Sequence, residues 1–506
     1  MKLLLLLILL PWLFAACGRE PDITNIDTEA SGAVISDAVI SDAAASDAST
    51  AMDAPVSEGH PEPEDTPSTN VATDTAASPW QFPSLHLGNV LGHTIQRREW
   101  LRDITISMES NVPAYNFQDA RGRIRGRGNS TWGLDKRPYR IRFNSSHARA
   151  MLDAGHVARD WTLIANHSDP SFMRHYSAYY FSGLLGTMDF SPFARFVHLY
   201  FDGRYRGVYM LSDQVEAGPG RAELTFDQDP ALSEYLIHFN MRAHYNNAVE
   251  GLDFVRVNNL LYEFRFPTGD QMPRRHAEYA RQFINIVDRH IMNRSDEVFN
   301  YIDLASFVDY YILMELYKDQ DAGRFSQFMQ IRGQGDQRRL EMGPVWDFDI
   351  AVGNAYYQGQ PDHSLDGIAI ESGYRPDGVW MALENRWFRM LMLNPTFFAA
   401  VVDRWQEVRE DQFPALIDHI NFMAHTYQAD FERNFDVWPI LGRSVWPNPR
   451  RVARIDTFLG HVEYVTDFLE TRAAWLDTNL WTHDQWGWWE QYAEEVIAHI
   501  ASRNRR

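Results

Sequence analysis

Residues 123–143 read R-I-R-G-R-G-N-S-T-W-G-L-D-K-R-P-Y-R-I-R-F, and the outline of the chain follows from them. Both ends alternate apolar and basic side chains (Arg123-Ile124-Arg125, then Tyr139-Arg140-Ile141-Arg142-Phe143), the period of two that marks half-buried strands. Between them Gly126, Gly128, Asn129, Ser130 and Thr131 form a loop rich in backbone and side-chain donors. Such a strand–loop–strand can hold an anion, because exposed N–H groups and neighbouring Arg or Lys direct positive charge at one place. The plainer alternative is an arginine-rich hairpin with one solvated face.

Lysine usage favours the anion site. Only three of the 47 basic residues are lysine (Lys2, Lys136 and Lys318), and Lys2 sits in a leader segment. Where arginine is the default cation, Lys136 beside Arg137 marks a place that calls for a compact ammonium. A phosphate clamp is such a place.

The whole chain of 506 residues carries a formal charge of −21, which argues against nucleic acid as a partner. Residues 18–80 account for much of it, with 13 Asp/Glu against one Arg. That stretch is Ala-, Ser-, Asp- and Pro-rich and repeats Val-Ile-Ser-Asp-Ala at residues 34–43, so it reads as a disordered acidic linker. The sole cysteine, Cys17, follows Lys2, an apolar run and Phe14-Ala15-Ala16. Residues 1–17 therefore resemble a bacterial lipoprotein signal peptide whose cysteine is lipidated. Gly18 and Arg19 lack the Asp that retains such proteins at the inner membrane of enteric-type bacteria, so the expected location is the cell envelope, at the outer membrane. No later run is long enough to span a bilayer.

From residue 81 the composition is globular. Residues 87–120 read as a helix or turn leading into a strand, residues 160–166 as a strand and residues 171–185 as a helix. Residues 196–211 read as a hairpin about Asp202-Gly203. After Pro267 helical periodicities take over at residues 276–292 and 306–316. A second hairpin is expected at residues 328–345, and helices with aromatic stripes follow Trp380. The outline is α+β with a β-rich first half and a helix-rich second half, two lobes with a ligand cleft between them.

Two acidic stretches can carry chemistry. Asp321 follows a helix in Lys318-Asp319-Gln320-Asp321, and Asp347-Phe348-Asp349 follows Gly343-Pro344-Val345-Trp346. If the second is extended, alternation puts Asp347 and Asp349 on one side, where paired oxygens suit Mg²⁺ or Mn²⁺. Asp169 and Arg174 read as a structural pair at a helix start, while Asp213 or Glu216 can pair with Lys136. The chain has no H-E-x-x-H, G-x-S-x-G or Walker loop, which disfavours zinc hydrolases, α/β-hydrolases and P-loop NTPases.

Together these blocks resemble the CotH kinase family, the atypical protein kinases named for a spore-coat protein. Residues 125–132 with 136–140, residues 161–166 with Asp169 and Arg174, residues 205–209, residues 309–312 leading to Asp321, and residues 343–349 with Gly353-Asn354 carry the resemblance. Asn434-Phe435, Trp438-Pro439 and Trp446-Pro447-Asn448 extend it, so that it covers roughly residues 87–478. It implies a divergent, two-lobed protein-kinase-like domain over residues 81–480, followed by a helical extension at 481–506. The implied activity is transfer of the ATP γ-phosphate to protein Ser/Thr. Asp321 would be the catalytic Asp; Arg127, Asn129, Ser130, Lys136 and Asp213 would hold the nucleotide; Asp347, Asp349 and Ser326 would hold Mg²⁺ or Mn²⁺. Two positions depart from the family pattern. Ser326 stands where many members have Asn, and Asp213 where many have Glu. A catalytically weak or inactive surface-binding module is the alternative. A carbohydrate-binding role for Trp481, Trp486, Trp488 and Trp489 is a third reading, against the plainer one of a packed terminal helix.

Overall fold

Alternation in the first part of the chain closes seven strands into a barrel. The computed structural model describes residues 80–239, 254–258, 260–268, 272–319, 321, 325–354, 379, 381, 385–492 and 494. Cys17 and nearly all of the acidic linker lie outside the described residues. The barrel strands are β1 (Ser84–Gly88), β2 (Leu101–Glu109), β3 (Phe117–Gly126), β4 (Tyr139–Phe143), β5 (Asp160–Ile164), β6 (Ala194–Phe201) and β7 (Arg204–Asp213), with helix α1 (Met173–Leu185) between β5 and β6. They run in the order β1-β2-β3-β4-β5-β7-β6; β1 pairs parallel with β6 and closes the sheet, and every other pair is antiparallel. Residues 87–120 run through turns into β2 and on into β3, in line with a turn leading into a strand. The reason is the period-two run Ile104, Ile106, Met108, whose side chains all point inward and are fully buried. Leu85, Ile124, Ile141 and Leu163 fill the same interior, so the barrel holds a packed core and any ligand must bind at its rim.

The second sheet joins the two halves of the chain. Strands β8 (Tyr235–Phe239), β9 (Phe254–Val257), β10 (Leu260–Phe266), β11 (Gln327–Arg332) and β12 (Arg339–Met342) lie in the antiparallel order β12-β11-β8-β10-β9. The later hairpin β11–β12 adds to strands from before Pro267, so the change of texture at that proline is no boundary in space. Helices α2 (Arg274–Met292) and α3 (Leu304–Tyr317) fall between β10 and β11. α3 begins where the Asp303 carboxylate accepts the Ser306 N–H. After β12 the described secondary structure is helical: α4 (Arg386–Leu391), α5 (Pro395–Glu410), α6 (Gln412–Thr426), the short α7 (Gln428–Glu432), α8 (Asn434–Val437) and α9 (Arg450–Ala453), and α10 (Phe458–Asn479). No described helix is long and apolar enough to cross a membrane. Trp481 packs edge-on against Trp405 at 4.7 Å and, like Trp489, is buried, as in a packed terminal segment, whereas Trp488 is exposed and stacks on Tyr492.

One buried ion pair fastens these parts together at the site. The Asp169 carboxylate accepts the Arg174 Nη1–H at 2.5 Å and the Arg174 backbone N–H at 3.0 Å, so it both neutralises the guanidinium and caps the first turn of α1. Arg174 donates onward from Nε to the Ala351 carbonyl (3.0 Å) and from Nη2 to the Val352 carbonyl (3.1 Å). Both side chains are fully buried. Two strong bonds thereby hold the segment after Asp349 against α1, and two more tie Arg174 to Asp169.

Arg174→Met leaves a buried carboxylate and two carbonyls without their donor. It is expected to cost about 3–5 kcal/mol, read as a lower urea midpoint with an unchanged slope.

Candidate active site

The loop between β3 and β4 meets the segment after β12 at the barrel rim. Gly128 takes φ +85, and a Cβ there would lie 2.2 Å from the Thr131 hydroxyl, so glycine is needed to fold the loop this tightly. Across from it the chain leaves β12 through Trp346 and turns at Asp347, whose φ is 72. The segment is therefore a left-handed bend rather than the extended strand its D-x-D alternation suggested. The bend still brings the two acids together. One donor atom each from Asp347, Asp349 and His175 lie within 4.8 Å of one another.

A cleft of about 430 Å³ opens at this point. Arg127, Asn129 and Ser130 line it from the barrel, and Asp321, Ser326, Asp347 and Asp349 from the other side. Seven of the residues singled out in the sequence thus converge. Lys136 lines a smaller adjoining cavity that shares Arg127, Thr131, Asp347 and Asp349 with the cleft.

Each acid has a defined setting. The Ser326 hydroxyl donates to Asp347 Oδ2 at 3.0 Å, and His175 Nε2 lies 3.9 Å from Asp347 Oδ1. Burial would raise the Asp347 pKa, but the His175 ring, the Arg127 guanidinium and the Ser326 hydroxyl outweigh it and bring the value down to about 2. Asp349 moves the other way, to about 6, because of burial and then the neighbouring Asp347 charge. Asp319 is driven well above the usual carboxylate range by burial and by Asp321. Arg127 stacks on Trp346 at 5.4 Å, which in turn stacks on Tyr179 at 5.7 Å, so the cation is held beside the acids by aromatic packing.

Lys136 is fully buried. Its ammonium donates to the Val208 carbonyl (2.5 Å) and to Asn434 Oδ1 (2.8 Å), and sits 4.6 Å from the Tyr209 ring centroid. Asn434, on α8, also accepts the Val208 N–H at 3.2 Å. This approach needs Gly207, where a Cβ would come within 2.6 Å of Asn434 Oδ1. Burial pushes the Lys136 pKa well down, and burial followed by the Lys136 charge pushes His167 to about 3. Lys136 meets neither Asp213 nor Glu216. Asp213 instead accepts from Arg221 Nε (2.7 Å) and the Phe193 N–H (2.9 Å) and pairs with His156 (2.9 Å), while Glu216 bonds Arg140 and Arg221. Asp213 lines neither cavity: Arg221 was the cation within reach, and it claims the carboxylate.

Three polar groups that sequence reasoning passed over also face the site. His175 follows Arg174 on α1 and reaches Asp347. Asn166 Oδ1 and Nδ2, and His167 Nδ1, are buried with no protein partner among the described residues, and both side chains line the small cavity beside Lys136. Orphaned donors and acceptors next to an ammonium fit a polar, anionic ligand. Asp347 and Asp349 offer the carboxylate oxygens that Mg²⁺ or Mn²⁺ takes, with His175 orienting Asp347. Their order in the chain, His before two acids on a bend, gave no spacing signal.

The model of the CotH kinase protein family matches residues 124–476. The chain belongs to that family. No curated protein matches it. The matched region begins inside β3 and ends inside α10, and it includes every residue named above at the cleft.

The Asp349 shift has a defined consequence for stability. The unfolded carboxyl ionises near 3.8 and the folded one near 6, so folding is increasingly penalised as pH rises between those values and by a constant amount above them. Asp349→Asn should therefore melt above the wild type at pH 7.5, with the excess gone at pH 4. An excess independent of pH would contradict the assignment.

Proposed function

We propose that this protein transfers the γ-phosphoryl group of ATP to Ser or Thr of a protein substrate. The observation that carries this reading is the convergence of Asp321, Ser326, Asp347, Asp349 and Arg127 on one cleft. Bound ATP would supply the phosphoryl group, and Mg²⁺ or Mn²⁺ would neutralise its charge. Asp347 and Asp349 would hold the metal, with Ser326 and His175 fixing the orientation of Asp347. Arg127, steadied on Trp346, would face the phosphates, helped by the donors of Asn129 and Ser130. Asp321 would accept the proton of the acceptor hydroxyl. Lys136 keeps one ammonium hydrogen beyond its two bonds, and among the described residues it meets no carboxylate. An anion reaching the inner cavity would complete its partners.

On this reading the barrel and the second sheet with its helices stand for the two lobes of a divergent kinase-like domain, and the closed seven-stranded barrel is a departure from the expected architecture. A second reading, a non-catalytic binding module, draws on Lys136 and Asp213 being engaged by internal partners. The setting we propose is extracytoplasmic, with the chain tethered through lipid on Cys17, at the outer membrane.

Asp321→Asn is expected to lower phosphoryl transfer to a protein acceptor by at least about 100-fold while nucleotide binding persists, measured by radiolabel incorporation. Equal labelling by the variant would remove Asp321 from the mechanism, and no labelling by the wild type would favour the binding module. For the tether, Cys17→Ser should shift the chain from the outer-membrane fraction to the soluble one. Recovery of the wild type in the inner membrane would refute the sorting proposal.

A further inference from the structure

Strands β3 and β4 carry more positive charge than their folding explains. Their antiparallel register sets Arg123 opposite Arg142 and Arg125 opposite Arg140. Like charges directly opposite one another weaken a sheet, yet here two such pairs stand side by side. All four guanidinium groups gather about one ring, with Arg123, Arg125, Arg142 and Arg140 at 4.8, 4.9, 5.1 and 6.0 Å from the Trp100 centroid. Asp160 binds Arg140 and Arg142 at 2.7 Å each, and Glu216 reaches Arg140 at 3.2 Å. Arg123 and Arg125 meet no carboxylate among the described residues, and Arg125 Nε is buried without a partner. The exposed Arg102 and Arg159 add to the field at Arg123. Arg221 also takes up Glu216 and pairs with Asp213, so seven guanidinium groups meet three acids among these described residues, on a chain whose net charge is −21. Burial first, and then repulsion from Arg140 and Arg142, brings the Arg125 pKa down to about 10.

The patch leads into the cleft. Arg123 and Arg125 lie on one face of β3, at the two-residue period, and Arg127 follows them to the cleft wall. Gln214 and Val215 line the same cleft, and the next residue, Glu216, bonds Arg140. The arginines on β3 therefore recur every ~7 Å along the strand. An extended polypeptide presents same-side side chains at the same repeat.

We propose that this arginine stripe docks an acidic segment of the protein acceptor, Asp- or Glu-rich beside the phosphorylated Ser or Thr, and guides it into the cleft. The inference rests on the kinase reading for the fate of the segment, but docking itself needs no catalysis. Trp100 holds the guanidinium planes in place without neutralising them. The bound carboxylates supply the missing counter-charge at Arg123 and Arg125.

The test is the binding of a fluorescent 12-residue peptide of alternating Ser and Asp to the full-length chain, followed by anisotropy. Expected is salt-sensitive binding that a Ser–Asn peptide does not reproduce. Arg123→Glu with Arg125→Glu should weaken it by about tenfold or more, with ATP–Mn²⁺ binding unchanged. Arg123→Lys with Arg125→Lys keeps the charge and should stay within about threefold of wild type. Should the Glu pair fail to fold, the Lys pair and the salt dependence of the wild type decide. Equal binding of the Ser–Asn peptide, no effect of charge reversal in a folded variant, or loss of binding in a folded Lys pair would overturn the proposal. So would capture of anionic lipid vesicles in place of the peptide. Peptide binding by a chain that binds no ATP would keep the docking surface and sink the kinase reading, so the two can fail separately.

Discussion

The buried Asp169–Arg174 pair is the constraint on which the site depends. A guanidinium with no access to water is costly unless all its donors are engaged. Here the carboxylate of Asp169 and the carbonyls of Ala351 and Val352 engage it from three sides. The consequence is positional. Arg174 fixes the segment after Asp349, and His175, the next residue, is thereby directed at Asp347. One turn of α1 both anchors the acidic bend and supplies the group that lowers the Asp347 pKa. A second layer supports it: Asn354 donates to the carbonyls of Asp349 (2.8 Å) and Ser168 (3.0 Å), and Asn448 donates to Asn354 and Ser168 at 2.7 Å each. Motif residues far apart in sequence are therefore a single polar scaffold.

The opposite wall follows the same logic with different chemistry. Among the described residues no carboxylate bonds Lys136; a backbone carbonyl, an Asn and an aromatic face hold it instead. Those partners orient an ammonium without neutralising it. Gly207, at φ +98, lets both Asn434 and Trp438 come close. The inner cavity consequently combines Lys136 with the orphaned polar groups of Asn166 and His167, while Asp321 and Ser326 line only the outer cleft. Phosphate oxygens suit the first surface, and a divalent cation suits the second. The two share Arg127, Asp347 and Asp349.

Much of this was legible in the sequence because its signals are local. Alternation fixed β3, β4, β6 and β7; the Asp169–Arg174 spacing read as a helix-start pair; lysine scarcity singled out Lys136. What escaped was non-local. Parallel closure of β1 on β6 joins segments more than a hundred residues apart, and no spacing announces it. The same holds for β11 adding to β8, and for Asn434 reaching Lys136 across 298 residues. The partner of Asp213 is likewise not legible from spacing. A pairing with Lys136 is open to it on sequence alone, whereas Arg221, eight residues on, binds it in the fold. The bend at Asp347 was hidden because D-x-D has the same period whether extended or turned.

The central claim is that the acids and cations at the barrel rim form a metal-dependent nucleotide site. The measurement that tests it most directly is a thermal-shift titration of the full-length chain with ATP, with and without Mn²⁺, beside Asp347→Ala. A ligand that binds only the folded state raises the melting temperature. The account predicts stabilisation that needs the metal and disappears in the variant. A folded wild-type chain that shows no shift at millimolar nucleotide, or a shift that survives Asp347→Ala intact, would contradict it.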